Sequence, residues 1–240
     1  MRIGACQTPE VLGDVATATR VMLDFADRAQ VDLLLFPECF LQGYLVTAEH
    51  VRRQAVDLGS PDLTALLAPL ARVRPTLVFG VLERCGDRYH NTALVVARGR
   101  VLGRYRKTFL TPAESMFTPG EAYPIFDCAG VRFGINICYD TGFPGAAAAV
   151  AAGGADVLLV PAQNMMRRQA ALRWRDLHTE IRLRRVRETG MWLASADVTG
   201  ERDEQRIGLG PTCVIDPAGR VVAQVPTGTT GMAVAEIPPP

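Results

Sequence analysis

The fold of this chain is decided by the stretch Gly134-Ile135-Asn136-Ile137-Cys138-Tyr139-Asp140-Thr141-Gly142-Phe143-Pro144. Residues 131–137 alternate between apolar and smaller or polar side chains, which is the periodicity of a β-strand. Glycine and proline then end that pattern, and the alanine-rich residues 146–152 predict a short helix. Cys138 therefore lies where a strand turns into a helix, a place where α/β proteins collect reactive side chains. It is our candidate nucleophile.

A second reactive position is predicted at the end of the apolar run 32–38, whose pattern is typical of a strand covered on both faces. Glu38 ends this run on a Pro-Glu corner, so surroundings of low dielectric on one side would raise its pKa. The alternative is a helix cap or a solvated turn carboxylate. Cys138 also has an alternative interpretation, because free cysteines usually pack as small buried hydrophobes.

Lys107 and Glu114 are two further candidates, and both follow the predicted strand 101–105. Lys107 has apolar and aromatic neighbours in the sequence, although a lysine after a strand is usually solvated. Glu114 lies in the loop 111–121, which is rich in proline and glycine yet keeps two large apolar residues. This composition indicates that the loop packs against the rest of the protein.

The acid, the lysine and the cysteine each lie in a short motif. The motifs are Leu35-Phe36-Pro37-Glu38, then Tyr105-Arg106-Lys107 with Leu110 and Pro112, and then Ile137-Cys138-Tyr139-Asp140 with Phe143-Pro144. In their order and spacing they resemble the three signature motifs of the nitrilase superfamily, the carbon-nitrogen hydrolases. The resemblance covers the whole chain, since residues 153–161, Arg185 with Glu188, and Asp216-Pro217 with Gly219 also match the family pattern.

The resemblance implies an α/β fold, a four-layer α-β-β-α sandwich of two mixed β-sheets, formed by residues 1–240 as a single domain. Residues 156–162 repeat the apolar pattern of residues 32–38, which agrees with two structurally similar halves. Family members commonly dimerise, so we expect a homodimer or a higher homo-oligomer.

The resemblance also assigns roles to the candidates. It makes Cys138 the nucleophile, Glu38 the general base and Lys107 the group that stabilises the oxyanion. Glu114 would hold Lys107 in position or bind the substrate. Amide hydrolysis needs such a set, because a thiol beside a cation and a base is a stronger nucleophile than water. We therefore expect a lowered pKa for Cys138 and a thioester intermediate.

Three residues are candidates for substrate contact. Tyr44 and Asn164 follow the carboxyl ends of predicted strands, although core packing or turn formation is an equal alternative. Tyr139 would offer its backbone N–H to the oxyanion. Many relatives carry an arginine and a glutamate where this chain has Gly142 and Gly145, so recognition of a charged group from those positions is lost or relocated.

Four functions remain open. The first is hydrolysis of a carbon-nitrogen bond in a small amide or carbamoyl substrate, and the second is transfer of the same acyl group to an amine. A nitrilase is a third, less favoured because Tyr139-Asp140 follows the cysteine where nitrilases carry Trp-Glu. A non-catalytic scaffold is the fourth, and the presence of all three reactive positions argues against it.

The composition limits the partners and the compartment. With 48% hydrophobic residues, 21% charged residues and a net charge of +1, the chain has the profile of a globular protein without a nucleic-acid or membrane partner. The N-terminus has no signal-peptide pattern, so we expect a cytoplasmic protein. The six cysteines lack zinc-site spacing, so no metal and no cofactor is expected. The arginine-rich segment 169–189 predicts a solvated helix face, and its cations could equally meet acidic residues across a subunit interface.

Overall fold

The computed structural model describes residues 1–239 and contains five α-helices and fifteen strands in this range. The helices are α1 (Val15–Arg28), α2 (Ala48–Gln54), α3 (Pro61–Leu67), α4 (Pro144–Ala152) and α5 (Arg168–Thr189). The strands are β1 (Arg2–Pro9), β2 (Leu33–Leu35), β3 (Val56–Asp57), β4 (Thr76–Cys85), β5 (Arg88–Ala97), β6 (Arg100–Arg106), β7 (Phe126–Cys128), β8 (Val131–Ile135), β9 (Val157–Pro161), β10 (Met165–Arg167), β11 (Trp192–Asp203), β12 (Arg206–Leu209), β13 (Cys213–Ile215), β14 (Val221–Gln224) and β15 (Gly231–Glu236). Short 3-10 turns cover residues 68–72, 112–114 and 138–142.

The strands form two mixed sheets. The first runs in the order β6-β5-β4-β2-β1, with β2 parallel to both β1 and β4 and with β15 antiparallel to β1. The second runs β7-β8-β9-β11-β13-β14, and its central strands β8, β9 and β11 are parallel. Parallel strands end at the same edge of a sheet, so residues that follow β2, β8 and β9 can converge.

Strand β11 joins the two sheets. Its first part pairs with β9, from Trp192 opposite Val157 to Ala196 opposite Pro161. From Asp197 onward it pairs with β1 of the first sheet. The strand therefore carries Asp197 to the seam between the sheets, beside the ends of β8 and β9.

Three apolar clusters separate four layers. One lies between the sheets and contains Leu35, Phe133 and Leu159. The second packs α1 and α3 on the outside of the first sheet, and the third packs α4 and α5 on the outside of the second. The structure is thus the predicted α-β-β-α sandwich, in which each sheet buries one face against the other and one against helices.

The helix starts follow local sequence rules. Asp14 accepts a hydrogen bond from the backbone N–H of Thr17 at the start of α1, and Ser60 does the same for Leu63 at the start of α3. None of the helices in residues 1–239 combines the length and apolar character needed to cross a membrane.

Two expectations about the second half of the chain were wrong. Sequence periodicity predicts a short strand over residues 191–196, whereas β11 continues to Asp203, because β1 and β12 supply main-chain hydrogen bonds to its polar half. The arginine-rich helix is not one solvated face. Arg182 and Arg185 are buried, while the other arginines that the sequence places on this face remain exposed.

Candidate active site

A tight turn after β2 holds Glu38. The backbone N–H of Gly80 donates to Pro37 O (3.1 Å), and the N–H of Leu41 donates to Gly80 O (3.0 Å), so the turn lies against β4. A Cβ at position 80 would come within 1.9 Å of Cys39 N, which only glycine avoids. The glycine therefore allows the approach that fixes the acid.

Glu38, Lys107 and Glu114 form a buried ionic triad. Lys107 Nζ lies 2.7 Å from Glu38 Oε1, 3.0 Å from Glu114 Oε1 and 2.9 Å from Glu114 Oε2. All three side chains are at most 1% exposed. Burial opposes the charge on the lysine, but the two carboxylates outweigh it and hold the pKa of Lys107 above its ordinary value. The amine therefore stays an ammonium.

Asn91 joins the two carboxylates. Its Nδ2 donates to Glu38 Oε1 (2.7 Å) and to Glu114 Oε1 (2.8 Å). Its Oδ1 accepts from the thiol of Cys39 (3.3 Å), which fixes the orientation of the amide. Because Asn91 donates one hydrogen to each carboxylate, Oε1 of both acids accepts a hydrogen bond and stays unprotonated. Any proton on Glu38 must therefore go to Oε2.

The surroundings of Glu38 favour proton transfer by its second oxygen, Oε2. Oε2 is buried and has no hydrogen-bond partner among residues 1–239. Burial raises the pKa of this carboxyl, and the Glu114 charge adds to the effect while Lys107 opposes it, giving a value of about 7. A carboxylate with this pKa can accept a proton and return it near neutral pH.

Both carboxylate oxygens of Glu114 are occupied by contacts within the protein. Its Oε2 accepts from the backbone N–H of Thr111 (2.8 Å) and its Oε1 from Asn91, while both oxygens contact Lys107. Burial raises the pKa of Glu114, but the Lys107 charge and these hydrogen bonds lower it by more. With both oxygens occupied, Glu114 has the geometry of a residue that positions Lys107. The alternative of substrate contact finds no support in this arrangement.

Cys138 begins the 3-10 turn after β8 with a backbone φ of +44°, in the left-handed region that L-residues rarely adopt. Asp140, which is fully buried, fastens this turn to the segment after Lys107. Its carboxylate accepts hydrogen bonds from Ile137 N (2.8 Å), Tyr105 OH (2.8 Å), Phe109 N (2.8 Å), Thr108 N (3.2 Å) and Thr108 Oγ1 (3.1 Å). One side chain thus ties the cysteine turn to the lysine segment.

The expected lowering of the Cys138 pKa was wrong. Burial raises the pKa of this thiol, the negative charge of Glu38 raises it further, and the positive charge of Lys107 only partly opposes them. The main reason is burial of the sulfur, and the negative charges of Glu38 and Asp197 add to it. The resting group is a neutral thiol beside a base, rather than a preformed thiolate.

A cavity of about 370 Å³ opens beside the thiol. Tyr44, Tyr139 and Asn164 all line it, as does Lys107, and Asn164 Oδ1 lies 3.9 Å from the Cys138 sulfur. The other lining residues are Thr111, Pro112, Thr141, Gly142, Gln163, Met166, Trp174, His178, Ile181 and Arg182. The three residues singled out for substrate contact therefore lie where a ligand of Cys138 would lie.

Comparison with known proteins identifies the family of this chain. The family model for carbon-nitrogen hydrolases matches residues 2–240. The chain belongs to this family. An (R)-stereoselective amidase from Pseudomonas sp. is 31% identical over 192 residues, which cover 80% of this chain and 68% of that protein. A nitrilase from Pyrococcus abyssi is 30% identical over 216 residues, which cover 88% and 79%.

Solved structures of similar proteins include an amidase mutant from Nesterenkonia sp. AN1, in which acrylamide has added to the active-site cysteine. It has a TM-score of 0.84 and 27% identity to this carbon-nitrogen hydrolase, and the alignment covers 99% of this chain and 93% of the other. The resemblance to the nitrilase superfamily that the three motifs carry is thereby confirmed.

Several site residues of this hydrolase were not found from the sequence. Asn91 and Asp140 organise the acids and the cysteine turn, and Arg182 and Asp197 lie beside the cavity. The third motif does contain Asp140, but its role as an acceptor of five hydrogen bonds depends on tertiary contacts. In residues 1–239, no three His, Cys, Asp or Glu side chains are grouped so as to hold a metal ion.

Proposed function

We propose that this protein hydrolyses a carbon-nitrogen bond in a small non-peptide amide or carbamoyl compound, with Cys138 as the nucleophile. One observation carries the proposal. A thiol on a strained turn shares a cavity with a permanently charged lysine, and the lysine contacts a buried carboxylate whose pKa is about 7. The Nesterenkonia amidase, with its modified active-site cysteine, supports the same chemistry.

The first half of the reaction forms a thioester. Glu38 Oε2, which has no hydrogen-bond partner, takes the thiol proton as the Cys138 sulfur attacks the amide carbon. A general base is needed at this step because the resting thiol is protonated. The negative charge that develops on the amide oxygen meets Lys107 Nζ and the backbone N–H of Tyr139. The leaving amine takes the proton from Glu38 and departs.

The second half regenerates the enzyme. Water gives a proton to Glu38 and attacks the thioester carbon, and the Cys138 sulfur leaves with that proton. Lys107 stays charged throughout, because both oxygens of the Glu114 carboxylate remain in contact with its Nζ. The sum is amide plus water giving a carboxylic acid and ammonia or an amine.

Ammonia release from a panel of small amides tests the proposal. Cys138→Ala should lower the rate by a factor of at least about 10³, because the covalent route is lost. Cys85→Ala is the matched control, since Cys85 is exposed on the β4–β5 turn and should keep the full rate. Undiminished turnover by Cys138→Ala would overturn the assignment.

A cytoplasmic location and a homodimeric or larger assembly belong to the same proposal. Cell fractionation and light scattering on the purified protein measure them, and a monomer at micromolar concentration would contradict the second.

A further inference from the structure

Arg182 is a buried arginine that makes no hydrogen bond within residues 1–239. It lies on α5, is 3% exposed and lines the cavity that contains Cys138. Its Nε and Nη1 have no hydrogen-bond partner among residues 1–239, and Nη2 lies 3.8 Å from Asp197 Oδ2, beyond hydrogen-bonding distance. Buried guanidinium groups are almost always bonded, so this one lacks an acceptor.

The neighbour one turn along the helix shows the contrast. Arg185 is also buried, but its Nη1 donates to Thr141 O (3.3 Å) and its Nη2 to Glu188 Oε1 (2.8 Å). Local partners thus bind two of the three nitrogens of Arg185, whose Nε also lacks one. Among the described residues, Arg182, which lines the cavity, has no hydrogen-bond partner on any nitrogen. The missing acceptor of Arg182 is therefore expected from the cavity side.

Asp197 balances the charge of Arg182 without satisfying its donors. Asp197 Oδ1 accepts from the backbone N–H groups of Asn164 and Val198, both at 2.9 Å, and Oδ2 accepts from Asn164 Nδ2. Burial raises the pKa of Asp197, while the Arg182 charge and the N–H groups that donate to both oxygens oppose the rise and favour the ionised carboxylate. In that form, Arg182 and Asp197 together carry no net charge.

The rest of the cavity adds no positive charge that an anion could use. Lys107 is already matched by Glu38 and Glu114, so that triad is neutral or carries one negative charge. Burial and the adjacent Arg182 lower the pKa of His178 to about 3, so the imidazole is neutral. A substrate carboxylate would thus enter a cavity with a net charge of zero or minus one, next to Asp197.

Resting on the proposed function, we propose that the substrate is an uncharged amide whose acyl group carries a hydrogen-bond acceptor, a carbonyl or hydroxyl oxygen, that binds Arg182. Met166, Trp174 and Ile181 line the same cavity and would pack on the carbon chain between the reacting amide and this acceptor. Arg182 is then a specificity-determining residue for the acyl group, while Cys138 and the triad carry out the chemistry.

Matched substrates test the inference. Malonamide, succinamide and glutaramide carry a distal carbonyl at three distances from the reacting amide. For each, one analogue replaces the distal carboxamide by an isopropyl group of the same shape, and another replaces it by a carboxylate. For the diamide of best length, kcat/KM per amide group should exceed that of both analogues by at least about tenfold, because only the diamide satisfies the guanidinium without adding a charge.

Variants of two arginines on the same helix complete the test. Arg182→Met should bring the ratio of diamide to isopropyl analogue close to one. Arg184→Gln should leave the ratio unchanged, since Arg184 is exposed and pairs with Glu180 on the same helix. If Arg182→Met does not fold, the wild-type ratios decide the question.

Equal turnover of the isopropyl analogues by the wild type, or an unchanged ratio in Arg182→Met, would overturn the role of Arg182. Preference for the carboxylate analogues would overturn the uncharged class. In each case the amides are still hydrolysed and the proposed function stands. Absence of hydrolysis of every amide would instead refute the proposed function, and the inference with it.

Discussion

Glu38 gives Lys107 only one of its two oxygens. Oε1 accepts from Lys107 Nζ at 2.7 Å and from Asn91, whereas Oε2 is buried without a partner among residues 1–239. The same carboxylate therefore anchors the ammonium through one oxygen and keeps the other for a proton. This arrangement suits Glu38 to the proposed role of a base that remains part of an ion pair.

The pH dependence of the wild type should follow Glu38. Its pKa of about 7 lies above the ordinary value, and the reaction needs the ionised carboxylate. We expect kcat/KM to fall about tenfold per pH unit below pH 7 and to level off above it. Initial rates of ammonia release between pH 5 and 9 measure this profile. A profile that stays level down to pH 5 would exclude Glu38 as the base.

Asn91→Leu should move that profile. The variant removes a donor to the ionised form of Glu38, so the pKa of the carboxyl rises and the acid limb shifts to higher pH by roughly one unit. The same kinetic measurement applies.

Thr92→Val is the control for Asn91→Leu. Thr92 is buried in the same strand and donates to Glu83 (2.6 Å), away from the triad. Its loss should reduce stability without moving the acid limb. An equal shift in both variants would mean that Asn91 acts through general stability alone.

The thiol of Cys138 should be protonated at neutral pH. Burial and the Glu38 charge raise its pKa above the ordinary value. The ultraviolet thiolate absorbance of the wild type minus that of Cys138→Ala should therefore be zero at pH 7 and appear only in strongly alkaline solution. A full difference signal at pH 7 would show that Cys138 is a thiolate at neutral pH, as the sequence motif suggested, and would contradict the raised pKa.

The sequence predicted the three reactive positions because each follows a strand in a recognisable motif. Glu38, Lys107 and Cys138 end β2, β6 and β8 or follow them closely, and strand ends can be read from hydrophobic periodicity. The layered fold came from the same motifs and is confirmed by the similarity to solved amidases.

Asn91 and Arg182 could not be predicted in this way. Asn91 lies within β5, and its role arises because the backbone pairs it with Lys107, whose N–H donates to Asn91 O at 2.8 Å. Arg182 is one of many arginines on α5, and their number concealed that two of them point inward. Contacts between polar or charged side chains that are far apart in the sequence leave no periodic pattern, so only the tertiary structure reveals them.

Asp140→Asn should lower both stability and rate. An amide nitrogen would replace one oxygen and face N–H and O–H donors, which costs about 1–3 kcal/mol of unfolding free energy. The looser cysteine turn should reduce kcat by about 10- to 100-fold. Urea unfolding and ammonia release measure the two effects. Asp24→Asn, an exposed change on α1, should alter neither, and wild-type values in Asp140→Asn would refute the linking role.

Acid-quenched mass spectrometry during turnover of a slowly hydrolysed amide would detect the acyl-enzyme itself. The peptide containing Cys138 should gain the mass of the acyl group, the adduct should disappear when the amide is exhausted, and Cys138→Ala should show neither adduct nor turnover. Steady hydrolysis with the acyl group on another residue, or with Cys138→Ala fully active, would contradict the role of Cys138 as the nucleophile.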